Sequence, residues 1–128
     1  MKSPALPRLL WGKEAEDIAA AFLLSRGYTV RERNWRPKNT HLEVDIIAQS
    51  SQEIIFVEVK ARSADGIDPI DAVDDKKIRK IVRAADIYLR SQPHDYLYRF
   101  DIITVSGNPD DYELDHIPDA FLPPLSTR

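Results

Sequence analysis

The residues of this sequence best suited to chemistry are Asp45, Glu58 and Lys60, in the pattern D-x12-E-x-K. Side chains two apart on a strand share a face. A strand over Glu53 to Arg62 therefore puts Ile54, Phe56, Glu58, Lys60 and Arg62 on one side, and Ile55, Val57, Val59 and Ala61 on the other. Its first half is apolar on both faces, so it belongs in the middle of a covered sheet. Charges buried there need partners or a metal. A hairpin with the preceding strand, about Leu42 to Ala48, reverses near Ser50 and Ser51 and sets Asp45 roughly opposite Val57 or Glu58. On this reading Glu43, Asp45 and Ile47 share one face of that strand. Two carboxylates so close repel each other, and a hard divalent cation relieves the repulsion. Oxygen donors from Asp45, Glu58 and the Val59 carbonyl would hold Mg2+ or Mn2+, the arrangement for metal-assisted phosphodiester hydrolysis. Lys60 would orient the attacking water or stabilise charge on the phosphate. The same spacing also suits an ordinary buried ion pair, or a charged strand end.

Helices must position the rest. Apolar Ala15, Ile18, Ala19, Phe22 and Leu23 recur with helical spacing between Gly12 and Arg26, and Gly27 is placed to end that helix. Glu16 flanks its apolar face, from where it could reach the acidic cluster as an outer metal ligand; a solvated first-turn glutamate is the simpler reading. Strands follow over Tyr28–Trp35, Leu42–Ala48 and Glu53–Arg62, with a turn at 37–40 and another at 49–52. Residues Ser63 to Asp75 read as a loop, and Asp74 or Asp75 can cap a second helix over Lys76–Arg90. Lys77 borders the buried face of that helix, where it could contact phosphate or simply snorkel. A last strand, Arg99–Val105, places Arg99 and Asp101 on one face as a structural pair, and Ile117–Pro124 reads as an irregular cap. The order is α-β-β-β-α-β, an α/β class with a mixed sheet of about four strands flanked by helices.

Composition narrows the function classes. A chain of 128 residues with 43% hydrophobic and 30% charged residues suits one domain over 1–128. The net charge of −3 disfavours bulk coating of nucleic acid, so contact would use local basic patches. Two exist: Arg31, Arg33, Arg36 and Lys38 around the first strand, and Lys76, Lys77, Arg79, Lys80 and Arg83 on the second helix. Arg33, Arg62 and Lys77 are the nucleic-acid-binding candidates. Without cysteine there is no disulfide or thiolate site, and the three scattered histidines lack zinc spacing. No apolar run approaches the roughly 20 residues of a membrane helix and no export signal is visible, so a cytoplasmic location is expected. Four glycines form no phosphate loop, and no Ser-His-Asp set can be assembled.

Taken together, several stretches resemble the YraN-like family of bacterial proteins, a branch of the PD-(D/E)xK nuclease superfamily. They are Gly12–Ala19, Arg26-Gly27-Tyr28, Arg33-Asn34, Glu43–Ala48, Phe56–Arg62, Lys77 with Ala85 and Leu89, Arg99-Phe100-Asp101 and Asp119-Ala120-Phe121. The match spans about residues 11–121. It implies a restriction-endonuclease-like fold in which Asp45, Glu58 and Lys60 form the catalytic core. Glu16 then corresponds to a helical glutamate also seen in archaeal Holliday-junction resolvases. Where the family usually has Gly before Glu43 and before Glu16, this chain has Leu42 and Ala15.

The leading expectation is a magnesium-dependent endonuclease acting on DNA, branched or damaged DNA included, with Asp45, Glu58 and Glu16 around the metal. Related resolvases act as dimers, so a homodimer is part of what the resemblance implies. The alternative is a nucleic-acid-binding or accessory protein that keeps the fold without cutting. A protein-interaction module without a nucleic-acid role is a third reading.

Overall fold

The apolar run Ile54-Ile55-Phe56-Val57 occupies the centre of a five-stranded sheet, as a strand apolar on both faces must. The computed structural model describes residues 8–62 and 75–122, with side chains from Trp11 onward. Its elements are α1 (Arg8–Ser25), β1 (Thr29–Trp35), β2 (Val44–Ser50), β3 (Glu53–Arg62), α2 (Asp75–Arg90), β4 (Leu97–Asn108) and β5 (Asp111–Ile117). The sheet order is β1-β2-β3-β4-β5. β3 and β4 pair in parallel and the other neighbours antiparallel, which gives the mixed α/β sheet expected from the sequence. The segment 63–74, expected as a loop and including the capping candidate Asp74, lies outside the described residues, as does the end of the tail from Pro123. No helix among the described residues is long and apolar enough to cross a membrane.

Each face of the sheet carries its own helix. Trp11, Ala15, Ala19, Ala20 and Leu23 of α1 bury against Ile46, Ala48, Ile55, Val57, Ile103 and Val105. On the other face Ile81, Val82, Ala84, Ala85 and Tyr88 of α2 meet Val44, Ile47, Ile54, Phe56 and Phe100. Val44 and Ile47, three residues apart, join the same cluster while Ile46 faces α1. Strict alternation is therefore lost at the start of β2, and the common face expected for Glu43, Asp45 and Ile47 is not kept.

Helix α1 ends on the paired hydrogen bonds of a Schellman turn. Tyr28 N donates to Leu23 O at 3.0 Å, and Gly27 N donates to Leu24 O at 3.1 Å, with Gly27 at φ +89°. That turn delivers the chain straight into β1 and fixes α1 over the sheet.

The sheet has one strand more than the sequence pattern predicts. Gly107 at φ +119° leads into a tight reversal in which Asn108 Oδ1 accepts from the Asp110 and Asp111 amides at 2.9 and 3.0 Å. The returning residues Asp111–Ile117 pair along β4 as an edge strand, so the sheet has five strands rather than about four. Ile117, expected to begin an irregular cap, is the last residue of that strand. A Cβ added at Gly107 would lie 2.4 Å from Asp111 O. Gly107→Ala is accordingly expected to lower stability by about 1–3 kcal/mol, as a shifted urea midpoint with the m-value unchanged.

Candidate functional site

Hairpin geometry builds the site. A two-residue turn at Ser51 and Gln52, with Ser51 at φ +54°, fixes Ser50 opposite Glu53 and Ile46 opposite Val57. Continuing that register by one residue sets Asp45 opposite Glu58. On the outer side Arg33 pairs with Ile46 and Trp35 with Val44, so Asn34 faces Asp45. Asn34, Asp45 and Glu58 thus form one row across three strands, at the end of the sheet where α1 begins.

The row borders a groove of about 570 Å3 lined by Gly12, Lys13, Glu16, Asn34, Arg36, Glu43, Asp45, Glu58, Val59, Ala61 and Lys77. Asp45 Oδ2 accepts a hydrogen bond from the Val59 amide at 2.9 Å. Glu58 is buried, and its Oε1 carries the Lys77 ammonium, brought over from the first turns of α2. Glu16 reaches down from α1 and shares a hydrogen bond with the Asp45 carboxyl. The Asn34 amide, turned so that its nitrogen faces the acids, donates to both Glu16 oxygens at 3.0 and 3.2 Å and to Glu43 Oε1 at 3.0 Å. Arg36 pairs with Glu43 at 3.2 Å, and Arg33 with Asp17 of α1 at 2.6 Å.

Four carboxyl groups in so small a space disturb one another. Burial first, and then the Glu58 carboxylate, push the Asp45 carboxyl up to about 8, against the opposing pull of the Val59 amide and Lys77. Glu16 is also raised, first by burial and further by Glu43, while its hydrogen bond to Asp45, Arg33 and the Asn34 amide work the other way. The groove thus gathers four carboxyls, with Lys13, Arg36 and Lys77 also in its lining. Its donors are all oxygen, the type hard divalent cations take. Among the described residues no three acidic or histidine side chains converge on one point. Mg2+ does not require that, because it is commonly held by one or two carboxylates with waters and substrate phosphate completing its shell. The donor set therefore fits such an ion through Asp45 and Glu58, with Val59 in the groove lining beside them. Glu16 stands beside Asp45 as a hydrogen-bond partner.

The other sequence candidates fall in different places. Lys60, half-buried and paired in register with Thr104, is not among the groove's lining residues. Neither is Arg62, whose carbonyl accepts from Trp11 Nε1 at 3.0 Å. Arg33 binds α1 from outside the groove. Arg31 sits where the β1 register shifts, and it turns away from the groove to lie over the Tyr88 and Tyr96 rings. Lys76, Arg79, Lys80 and Arg83 form an exposed band on α2. Trp35 packs edge-on against Tyr88 at 5.2 Å and Tyr28 lies against His116 at 6.3 Å, so both rings serve packing. Asn34 and Glu43 join the site without being predicted as functional residues by the sequence pattern.

Comparison with known proteins assigns this arrangement to a family. The model of uncharacterised protein family UPF0102 matches residues 15–105, which include Glu16, Asn34, Asp45, Glu58, Lys60 and Lys77. The chain belongs to UPF0102. This is the YraN family that the motifs resemble. A UPF0102 protein of Phocaeicola vulgatus is 45% identical over 116 residues, covering 90% of this chain and 94% of the relative. One from Bacteroides thetaiotaomicron is 47% identical over 115 residues (89% and 93%), and one from Parabacteroides distasonis 48% over 114 residues (88% and 93%). The fold of this chain, a five-stranded mixed sheet flanked by two helices, is compatible with the nuclease-like architecture expected from the motifs.

Proposed function

We propose that this UPF0102 chain is a metal-dependent nuclease that hydrolyses phosphodiester bonds in DNA, with Mg2+ or Mn2+ as its cofactor. The observation that carries the reading is the juxtaposition of buried Glu58 and Asp45 at an open groove, where burial and the Glu58 charge hold the Asp45 carboxyl well above its ordinary range. Asp45 and Glu58 would hold the cation, which when bound polarises a phosphate oxygen and lowers the pKa of its water. The Asp45 carboxyl is kept in orientation by the Val59 amide. Glu16 accepts or returns the proton that Asp45 gives up. Lys77, on the groove wall, would leave Glu58 to meet the phosphate, and Lys60 would stabilise developing charge. The exposed band of Lys76, Arg79, Lys80 and Arg83 offers the backbone contacts that make such binding salt-dependent.

The test is cleavage of duplex, branched and single-stranded DNA, with RNA alongside, in Mg2+ and in Mn2+. Asp45→Ala and Lys60→Ala are expected to lower the rate at least ~100-fold. Full activity in both variants would sink the assignment. The position of Lys60 outside the groove lining favours a second reading, a nucleic-acid-binding accessory that does not cut. That reading expects DNA binding at low salt unaffected by Glu58→Ala, and no turnover above the Lys60→Ala control.

A further inference from the structure

Asn34 holds a backbone conformation few residues adopt inside a strand, φ +50°. Its short amide tolerates that region better than other non-glycine side chains. There it does something no other residue type would do as well. A carboxamide nitrogen carries two hydrogens and no charge, so it can bridge two acids without competing with a cation for them. An aspartate at the same place would add another anion; a lysine would neutralise the pocket. The Asn34 nitrogen contacts both Glu16 oxygens and Glu43 Oε1, joining α1 to the start of β2. Beside it the Arg33–Asp17 pair ties α1 to β1, and Arg36 holds Glu43 from the outside. Glu16 is carried on α1, and the Glu43 carboxylate repels it. Without the Asn34 amide, its hydrogen bond to Asp45 would be left to hold it against that repulsion.

We propose that Asn34 is a positioning residue that clamps Glu16 and Glu43 beside Asp45, and thereby sets how tightly the acidic groove takes a divalent cation. The second half of that statement rests on the metal-dependent reading above. Supporting groups of this kind contribute about 10–100-fold to metal affinity or activity.

The test uses the full chain with Asn34→Gly, which suits the left-handed backbone and removes only the amide. Calorimetry with Mn2+ alone is expected to show affinity weakened about tenfold. Glu43→Gln added to that variant should restore most of the loss, because the new amide can donate to Glu16 and one repulsive charge is gone. A residue that merely shaped the strand would show no such rescue. Wild-type Mn2+ affinity in Asn34→Gly, or a double variant no better than the single, overturns the proposal. Carboxyl-carbon NMR of the metal-free protein separates this failure from that of the nuclease reading. If the natural chain takes up no Mn2+, the metal reading falls, while displaced Glu16 and Glu43 resonances in Asn34→Gly still support the clamp. Unmoved resonances overturn the clamp itself.

Discussion

Metal-free Asp45→Asn protein is expected to be more stable than the natural chain by about 2 kcal/mol at pH 7, although it should lose metal-dependent cleavage. Asparagine keeps the shape, can still accept from the Val59 amide, and can donate to Glu16 without carrying charge. In the natural chain the Asp45 carboxyl is raised from an ordinary 3.8 to about 8, by burial first and then by Glu58. A carboxyl raised in the folded state binds its proton more tightly there than in the unfolded chain. Stability from this group therefore falls as pH rises, from about 4 until the folded group is ionised near 8. Glu16 shares the proton, so the shift belongs to the pair, and the gain is smaller than a lone group would give. Thermal melts in EDTA at pH 4, 7 and 9 should show the two proteins converging in acid and the variant leading above it. Saturating Mn2+ should reverse the order, because only the natural chain gains binding free energy. A variant less stable than the natural chain at pH 9 without metal would show that Asp45 is a structural group.

That combination of a costly apo state and lost activity is the expected mark of a site selected for chemistry rather than stability. It also explains why the site was legible in the sequence. Charges in the second half of a strand that begins apolar on both faces are conspicuous, and β3 runs over Glu53–Arg62 as read from that pattern. The elements that escaped had weaker physical signals. β5 alternates Tyr112, Leu114 and His116 against acids, with one face in solvent, and looks like polar tail. The run Gln49-Ser50-Ser51-Gln52 reads as turn throughout, yet cross-strand pairing extends β2 to Ser50 and leaves a reversal of two residues. At its other end β2 starts two residues later than expected, after the Leu42 amide has donated to Thr40 Oγ1 at 3.2 Å. Asn34 escaped because its role comes from register across three strands and from a positive φ, neither of which one sequence displays.

The second large effect is expected far from the groove, at Asp101. Replacing it by Ala should destabilise the protein by about 3–5 kcal/mol, the range for breaking a buried, hydrogen-bonded ion pair. Its side chain is fully buried. Arg99 Nε donates to Oδ1 at 2.9 Å and Arg99 Nη2 to Oδ2 at 3.2 Å. The Asp119 amide donates to Oδ1 at 3.0 Å, and His116 Nε2 lies 2.7 Å from Oδ2. Arg99 also binds Glu53 at 2.7 Å and the Tyr28 hydroxyl at 2.9 Å, and the Asp101 hydrogen bond foremost holds its guanidinium above the ordinary range. The carboxylate thus ties β4 to β5 directly, and through Arg99 to the start of β3 and the turn after α1. Truncation leaves the half-buried guanidinium short of its main counter-charge. Arg99→Leu in the same chain should therefore cost much less than the two single changes added together, a coupling of at least ~1 kcal/mol in a double-mutant cycle by urea denaturation. Additive losses would mean the pair acts only through packing. The comparison with Asp45 separates structure from chemistry. Asp101 is surrounded by donors and an arginine, so removing it harms the fold; Asp45 is surrounded by acids, so neutralising it should help the fold and harm only function. Because Asp101 pairs in register with Val57, next to Glu58, its loss should also lower activity. That loss should recover on cooling, as the folded population returns, whereas the loss in Asp45→Asn should not.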